Sequence, residues 1–330
     1  ADMKHNRKKL LLLSLCMMVA GGILTGLGLF FGGYPGVTLS GEGLYSPYRE
    51  NQKTPYLLKK TKLEHCSNIE FVIDSYANIQ ILSSRDSDFY LEYKLDSCYP
   101  EPTYEVKDHI LHFSQKESRR GQTYFFNLSL PAPSKESTPY VTLYVPEEQK
   151  IKNLHLFSSM GNISLSDLNV EQAELTSEYG NVNLQTLQAK QFSLHIESGN
   201  LEAESLTADQ LLLSCDYGNA TLHHFQGKNA DLSLESGNLH LDAKELEQLT
   251  CTNTYGNTNI RLPEDLASYT IDAHTDYGQI HLPEQTSQGR LTSSDMEETY
   301  QLEGSSGKKL SIHAEDGNIT LSQEFKSNTP

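Results

Sequence analysis

Between residues 161 and 321 the apolar residues alternate with polar ones in short runs, such as Phe192, Leu194 and Ile196, then Leu211, Leu213 and Cys215. Alternation with period two marks strands with one buried face. The runs are punctuated by Gly161, Gly180, Gly199, Gly218, Gly237 and Gly256, each nineteen residues apart. Gly278 follows after twenty-two residues and Gly317 after thirty-nine. Asn follows the glycine at 162, 181, 200, 219, 238, 257 and 318, with Gln279 as the one substitution. Two and four residues beyond each glycine the chain is again mostly apolar, as in Val182 and Leu184 or Leu239 and Leu241. This is an internal repeat, and nineteen residues make a coil of two short strands and two turns. One coil cannot bury its own apolar face, whereas coils paired in parallel at ~4.8 Å can. The predicted fold class is therefore all-β: a parallel β-solenoid of 19-residue coils over 161–325, right-handed by the crossover preference of parallel strands. The long step from Gly278 to Gly317 predicts one degenerate coil around TSSDMEETYQL.

Gly-Asn is foremost a corner, since glycine accepts φ > 0 and stacked Asn amides can form a ladder. The residues just before it form the candidate binding strip. Tyr179, Ser198, Tyr217, Ser236, Tyr255 and Tyr277 precede the glycines, and large-small alternation would let neighbouring coils interdigitate. One place earlier stand Glu178, Glu197, Asp216, Glu235, Asp276 and Glu315. Stacked like charges repel unless solvent or cations screen them, so this row reads either as solvated side chains or as a strip for a cationic ligand. No EF-hand loop, CxxC or HxxxH spacing accompanies the histidines, and no metal or other cofactor is expected. His195, His274 and His313 take the same outward position on coils that are not neighbours, which reads as incidental surface histidine.

Ahead of the repeat, residues 65–160 contain further alternating runs: IEFVIDSYANIQIL (69–82), DFYLEYKL (88–95), HILHFS (109–114), TYFFNLSL (123–130) and YVTLYVP (140–146). Ser75-Tyr76-Ala77-Asn78 copies the corner with Ala77 in place of glycine, so 65–160 is an irregular β cap region opened by one coil. Residues 32–64, rich in Pro-containing turns, form a spacer. Residues 1–31 join a basic stub (Lys4, Arg7, Lys8, Lys9) to an apolar, uncharged run from Leu10 to Phe31, ~33 Å long as a helix and enough to cross a bilayer. An uncleaved anchor is expected, with signal-peptide cleavage near Ala20 as the competing reading. The positive-inside rule then leaves the N-terminus in the cytoplasm and the rest outside. Gly22, Gly26, Gly28 and Gly32 make two GxxxG spacings that could seat a partner helix. Cys66 and Cys98 would both be exported, where they either pair or remain free thiols, while Cys215 and Cys251 occupy core positions.

Net charge is −17, and because the first 31 residues carry +3, the remainder carries −20. That balance excludes nucleic acid as a natural partner and favours cations and cationic peptides. The basic stub and Gly-rich anchor (4–33), IEFVIDSYANIQIL, VTLYVPEEQKIKNLHLFSSMGNISL (141–165) and the Gly-Asn coils together resemble the bacterial putative-adhesin family, envelope proteins with a domain of unknown function. The resemblance implies an extracytoplasmic β-solenoid on one membrane helix and supplies no catalytic motif. Some relatives resemble components of envelope-stress systems that respond to antimicrobial peptides. Three functions are therefore weighed: a non-catalytic surface module for cell-wall polymer or a partner protein, an envelope-stress regulator or decoy for cationic peptides, and a polysaccharide-acting enzyme. The last is disfavoured, because no Arg lies between Arg120 and Arg261 to meet a polyanionic substrate, and the acidic residues repeat at one place in every coil. Oligomeric state is not legible.

Overall fold

The structure, a computed structural model, describes residues 17–18, 21–22, 24, 37–40, 43–45, 54–97, 99–116, 123–126, 138–284, 286 and 288–323. The chain divides into two compact units, one of residues 1–54 and 118–137 and one of residues 55–117 and 138–330. In the first, strands Val37–Ser40, Gly43–Tyr45 and Thr123–Phe126 form a three-stranded antiparallel sheet. Of the expected anchor, Met17, Met18, Gly21, Gly22 and Leu24 are helical, and the rest, with Gly26, Gly28 and Gly32, lies outside the described residues. Among the described residues no helix is long and apolar enough to cross a membrane.

The larger unit is all-β and built from stacked coils. Successive coils pair in parallel and in register at an offset of nineteen residues, as in Leu194 with Leu213 and Leu213 with Leu232. Inward positions such as Val182, Leu184 and Leu187, then Phe192, Leu194 and Ile196, are buried in one continuous apolar column. The steps of two, broken by steps of three and five, show where the chain bends around that column. The second bend needs no break in pairing: Val182–Ser198 and Leu201–Tyr217 each run through it as seventeen-residue strands.

The glycine corner is where coils approach most closely. A Cβ on Gly180 would lie 2.1 Å from the carbonyl oxygen of Gly161, and Gly161 stands in the same relation to Ala77. The Asn ladder is present, and backbone amides enter it: the Asn181 N–H donates to Oδ1 of Asn162 and the Asn200 N–H to Oδ1 of Asn181, both at 2.9 Å. Side-chain amides add the bonds Asn200 Nδ2 to Asn181 Oδ1 at 3.1 Å and Asn219 Nδ2 to Asn200 Oδ1 at 3.2 Å.

The last coils depart from the sequence order. Strand Lys308–Asp316 pairs with both Gln248–Tyr255 and Tyr269–Tyr277, so the coil of Gly317 lies between the coils of Gly256 and Gly278. The stretch expected as a degenerate coil is instead an antiparallel hairpin, Arg290–Ser293 with Glu298–Leu302, laid antiparallel on the outer edge of Tyr269–Tyr277. A parallel coil needs a neighbour on each side, and the hairpin closes the end that the exchanged coil leaves open. The other end closes alike. Strand Thr103–Lys107 runs antiparallel to Ile110–Gln115, which flanks Asn68–Tyr76, and Tyr56–Lys62 runs antiparallel to Tyr90–Leu95.

Cys66, Cys215 and Cys251 are buried free thiols, and Cys98 lies outside the described residues. Burial pushes the Cys66 and Cys251 thiols up to about 12.

Candidate binding face

The strands that precede each glycine turn every second residue outward, and those residues stack into columns at ~4.8 Å per coil. Four columns lie side by side. The first contains only amides over seven consecutive coils: Asn68, Asn153, Gln172, Gln191, Gln210, Asn229 and Gln248 are in register, and Lys309 follows. Asn153 donates to Asn68 at 2.7 Å. Gln172, Gln191, Gln210, Asn229 and Gln248 make no side-chain hydrogen bond to another described residue. They therefore present unspent donors and acceptors, unlike the corner Asn side chains, whose oxygens are taken by backbone N–H groups.

These amides edge a groove of about 590 Å³ that extends from Asn153 to Gln248. Six coils at ~4.8 Å make it ~24 Å long. Its floor is the next, inward column, in which the larger Phe192 and Leu211 lie between the small Ala173 and Ala230. Its far side is the second outward column: His155, Glu174, Ser193, Leu212, Asp231 and Thr250. The amide column is absent from the sequence reading, although its nineteen-residue spacing is as regular as that of the glycines.

The third column carries Thr176, His195, Ser214, Ser233, Thr252 and His313. The fourth is the predicted acidic row. Glu178, Glu197, Asp216 and Glu235 occupy four consecutive coils, and no basic side chain among the described residues pairs with them. Ser159 Oγ donates to Glu178 at 2.6 Å. This row lies on the same outer face, six residues along the strand, or ~20 Å, from the amide edge of the groove.

Tyr179, Tyr217, Tyr255 and Tyr277 stand at the corner itself and are 55%, 56%, 53% and 59% exposed, so the alternation does not serve interdigitation in the core. Tyr76 and Met160 extend the column upstream in register with Tyr179. Downstream, the exchanged coil inserts Asp316 between Tyr255 and Tyr277, so large and small still alternate in space.

That exchange also corrects the reading of the histidines. His274 and His313 are direct neighbours, with rings stacked 5.3 Å apart at 11°. Asp276, which the sequence places in the acidic row, is engaged by both: His274 Nε2 lies 2.8 Å from Oδ1 and His313 Nε2 3.6 Å from Oδ2. Elsewhere Asp242, buried beneath the surface, pairs with Arg261 one coil on. Burial pushes the Asp242 carboxyl up, but the hydrogen bond and charge of Arg261, with Lys244, outweigh it and hold the group below its ordinary value.

The family described as Toastrack DUF4097 matches residues 66–322. Among solved structures, the chain is similar to a putative adhesin from Parabacteroides distasonis at 15% identity, covering 82% of this chain and 97% of that one with a TM-score of 0.46. A putative adhesin from Parabacteroides merdae matches at 13% identity, 83% and 93% coverage and a TM-score of 0.45. A protein described as a putative lipid binding protein, from Parabacteroides distasonis, matches at 16% identity, 82% and 95% coverage and a TM-score of 0.38. No curated protein matches.

Proposed function

We propose that this chain, which belongs to the Toastrack DUF4097 family, is a non-catalytic binding module of the bacterial envelope, held at the membrane by residues 10–31 with its β-solenoid outside. Its ligand is an extended cell-wall polymer lying lengthwise along the stack. The amide column carries this reading. A ladder of identical, unspent donor-acceptor groups on a straight groove suits a chain of repeating polar units better than a compact molecule. Most of its members are amides rather than charges, and these match hydroxyl and acetamido groups, which also donate and accept.

A lytic role fits the groove poorly. Its two carboxylates, Glu174 and Asp231, stand three coils apart, ~14 Å, beyond the ~5–9.5 Å that glycoside hydrolysis requires. A second reading is favoured by the row Glu178, Glu197, Asp216 and Glu235, whose unpaired carboxylates would attract a cationic peptide.

Co-sedimentation of the purified chain with insoluble cell wall separates the two. The amide reading expects Gln172→Ala, Gln191→Ala and Gln210→Ala together to weaken retention at least ~10-fold with little salt dependence, each lost hydrogen bond costing about 1 kcal/mol. Wild-type retention by that triple variant would overturn it. Cationic-peptide binding that collapses with salt and disappears when the four acidic residues are changed to Gln would support the second reading.

A further inference from the structure

We propose that His274, Asp276 and His313 form a binding site for a divalent transition-metal ion of the zinc class at the C-terminal end of the stack. The three donor atoms lie within 4.8 Å of one another, on two neighbouring parallel strands. His274 Nε2 and His313 Nε2 face the two oxygens of a single carboxylate, at 2.8 and 3.6 Å. Tetrahedral coordination at the usual metal–nitrogen and metal–oxygen distances of ~2.0–2.2 Å puts ligand atoms ~3.3 Å apart, between those two values. Small side-chain rotations therefore suffice to admit an ion. Glu315 lies between the registered pairs Ala314–Thr275 and Tyr277–Asp316, opposite Asp276 on the neighbouring strand, but is not one of the three clustered donors.

The surroundings of His274 point the same way. Its Nδ1 lies 2.9 Å from Thr299 Oγ1, on the antiparallel hairpin. If Nδ1–H donates to that hydroxyl, the neutral ring directs the Nε2 lone pair at the Asp276 carboxylate, an arrangement that needs a positive charge between them. A metal ion supplies it, and a hydrogen bond to the second ring nitrogen is the usual way in which a ligating imidazole is oriented. In the other neutral tautomer Nδ1 accepts from the Thr299 hydroxyl and Nε2–H donates to Asp276, and an ion would displace that proton. Two imidazoles and one carboxylate select zinc-class ions over Ca²⁺ or Mg²⁺, which take oxygen ligands. Three protein ligands leave a position open to water or to a group on a partner. The site exists only because the coil of Gly317 is placed beside that of Gly278, and an ion there would tie the exchanged strand to its outer neighbour.

Titration of the purified 330-residue chain with Co²⁺ as spectroscopic probe, then with Zn²⁺ in competition, tests the site. Expected are one equivalent with the visible bands of a four-coordinate nitrogen–oxygen site, displacement by Zn²⁺, and no effect of excess Ca²⁺. His274→Ala and His313→Ala should abolish those bands while the far-UV dichroism is kept. If either variant misfolds, Thr299→Val serves in its place and should weaken binding ~10–100-fold, as loss of an orienting partner does. Absence of Co²⁺ bands in the wild-type chain, or bands that survive the substitutions and disappear instead in His223→Ala/His240→Ala, would overturn the assignment.

Discussion

Replacing Gly218 by Ala tests the stacking geometry most directly. The added methyl carbon would sit 1.8 Å from the carbonyl oxygen of Gly199 and 2.7 Å from its carbonyl carbon. Both are backbone atoms, so no side chain can turn aside. The same seam is held by the Gly199 N–H bond to the Tyr217 carbonyl and the Asn219 N–H bond to Asn200 Oδ1, each 2.9 Å. Gly218 also has φ of +150°, where an L-residue costs about 1–3 kcal/mol. Relieving the clash separates the coils by more than an ångström and gives up those two bonds at about 1 kcal/mol each. The expected loss is thus about 3–5 kcal/mol. Gly307→Ala is the control: φ is +80° with nothing within 4 Å, so only the conformational cost of about 1–2 kcal/mol applies. Urea unfolding followed by far-UV dichroism should show the Gly218 variant losing stability well beyond the control. Because coils couple mainly to their neighbours, it should also lose its single transition. Equal destabilisation by the two substitutions would refute close backbone approach as the reason for glycine at the corner.

Arg261→Leu should cost about 3 kcal/mol in the same assay by leaving the Asp242 carboxylate buried without its main partner, and Asp242→Leu/Arg261→Leu should recover most of it. Since the folded Asp242 carboxyl is depressed, its contribution is present above the ordinary carboxylate range and lost as pH falls through the folded value, so acid titration of wild type and double variant should diverge below about pH 4. Cys66 and Cys251, pushed up to about 12 and buried, should resist maleimide at pH 8 in the native chain and react only after unfolding, as peptide mapping would show. Tyr217→Ser, at an exposed corner between Ser198 and Ser236, should change stability by no more than about 0.5 kcal/mol.

The stack was legible because its cause is local. Gly161 through Gly256 and the Ala77 corner carry the period openly, and inward residues such as Leu194 and Leu213 carry the strand alternation. The amide column has the same period, yet Gln172, Gln191 and Gln210 are ordinary exposed residues whose alignment matters only once the coils are known to stack in register. The place of Lys308–Asp316 was not legible. Spacing along a chain fixes which residues are equivalent but not the order in which equivalent strands pair. Hence His274 and His313, thirty-nine residues apart, read as distant although their rings touch.

The exchanged coil bears on how such a chain can change length. Between Gly161 and Gly256, order in sequence equals order in space, so nineteen residues can be duplicated or deleted there without disturbing either end. Each event would lengthen or shorten the amide groove by one step of ~4.8 Å. Past Gly256 the chain is plaited, and inserting a coil there would force two strands to compete for one seat. The ends are fixed by construction, while the middle is a ruler whose graduations can be added one at a time, so relatives that differ in length should differ in the middle by multiples of nineteen residues.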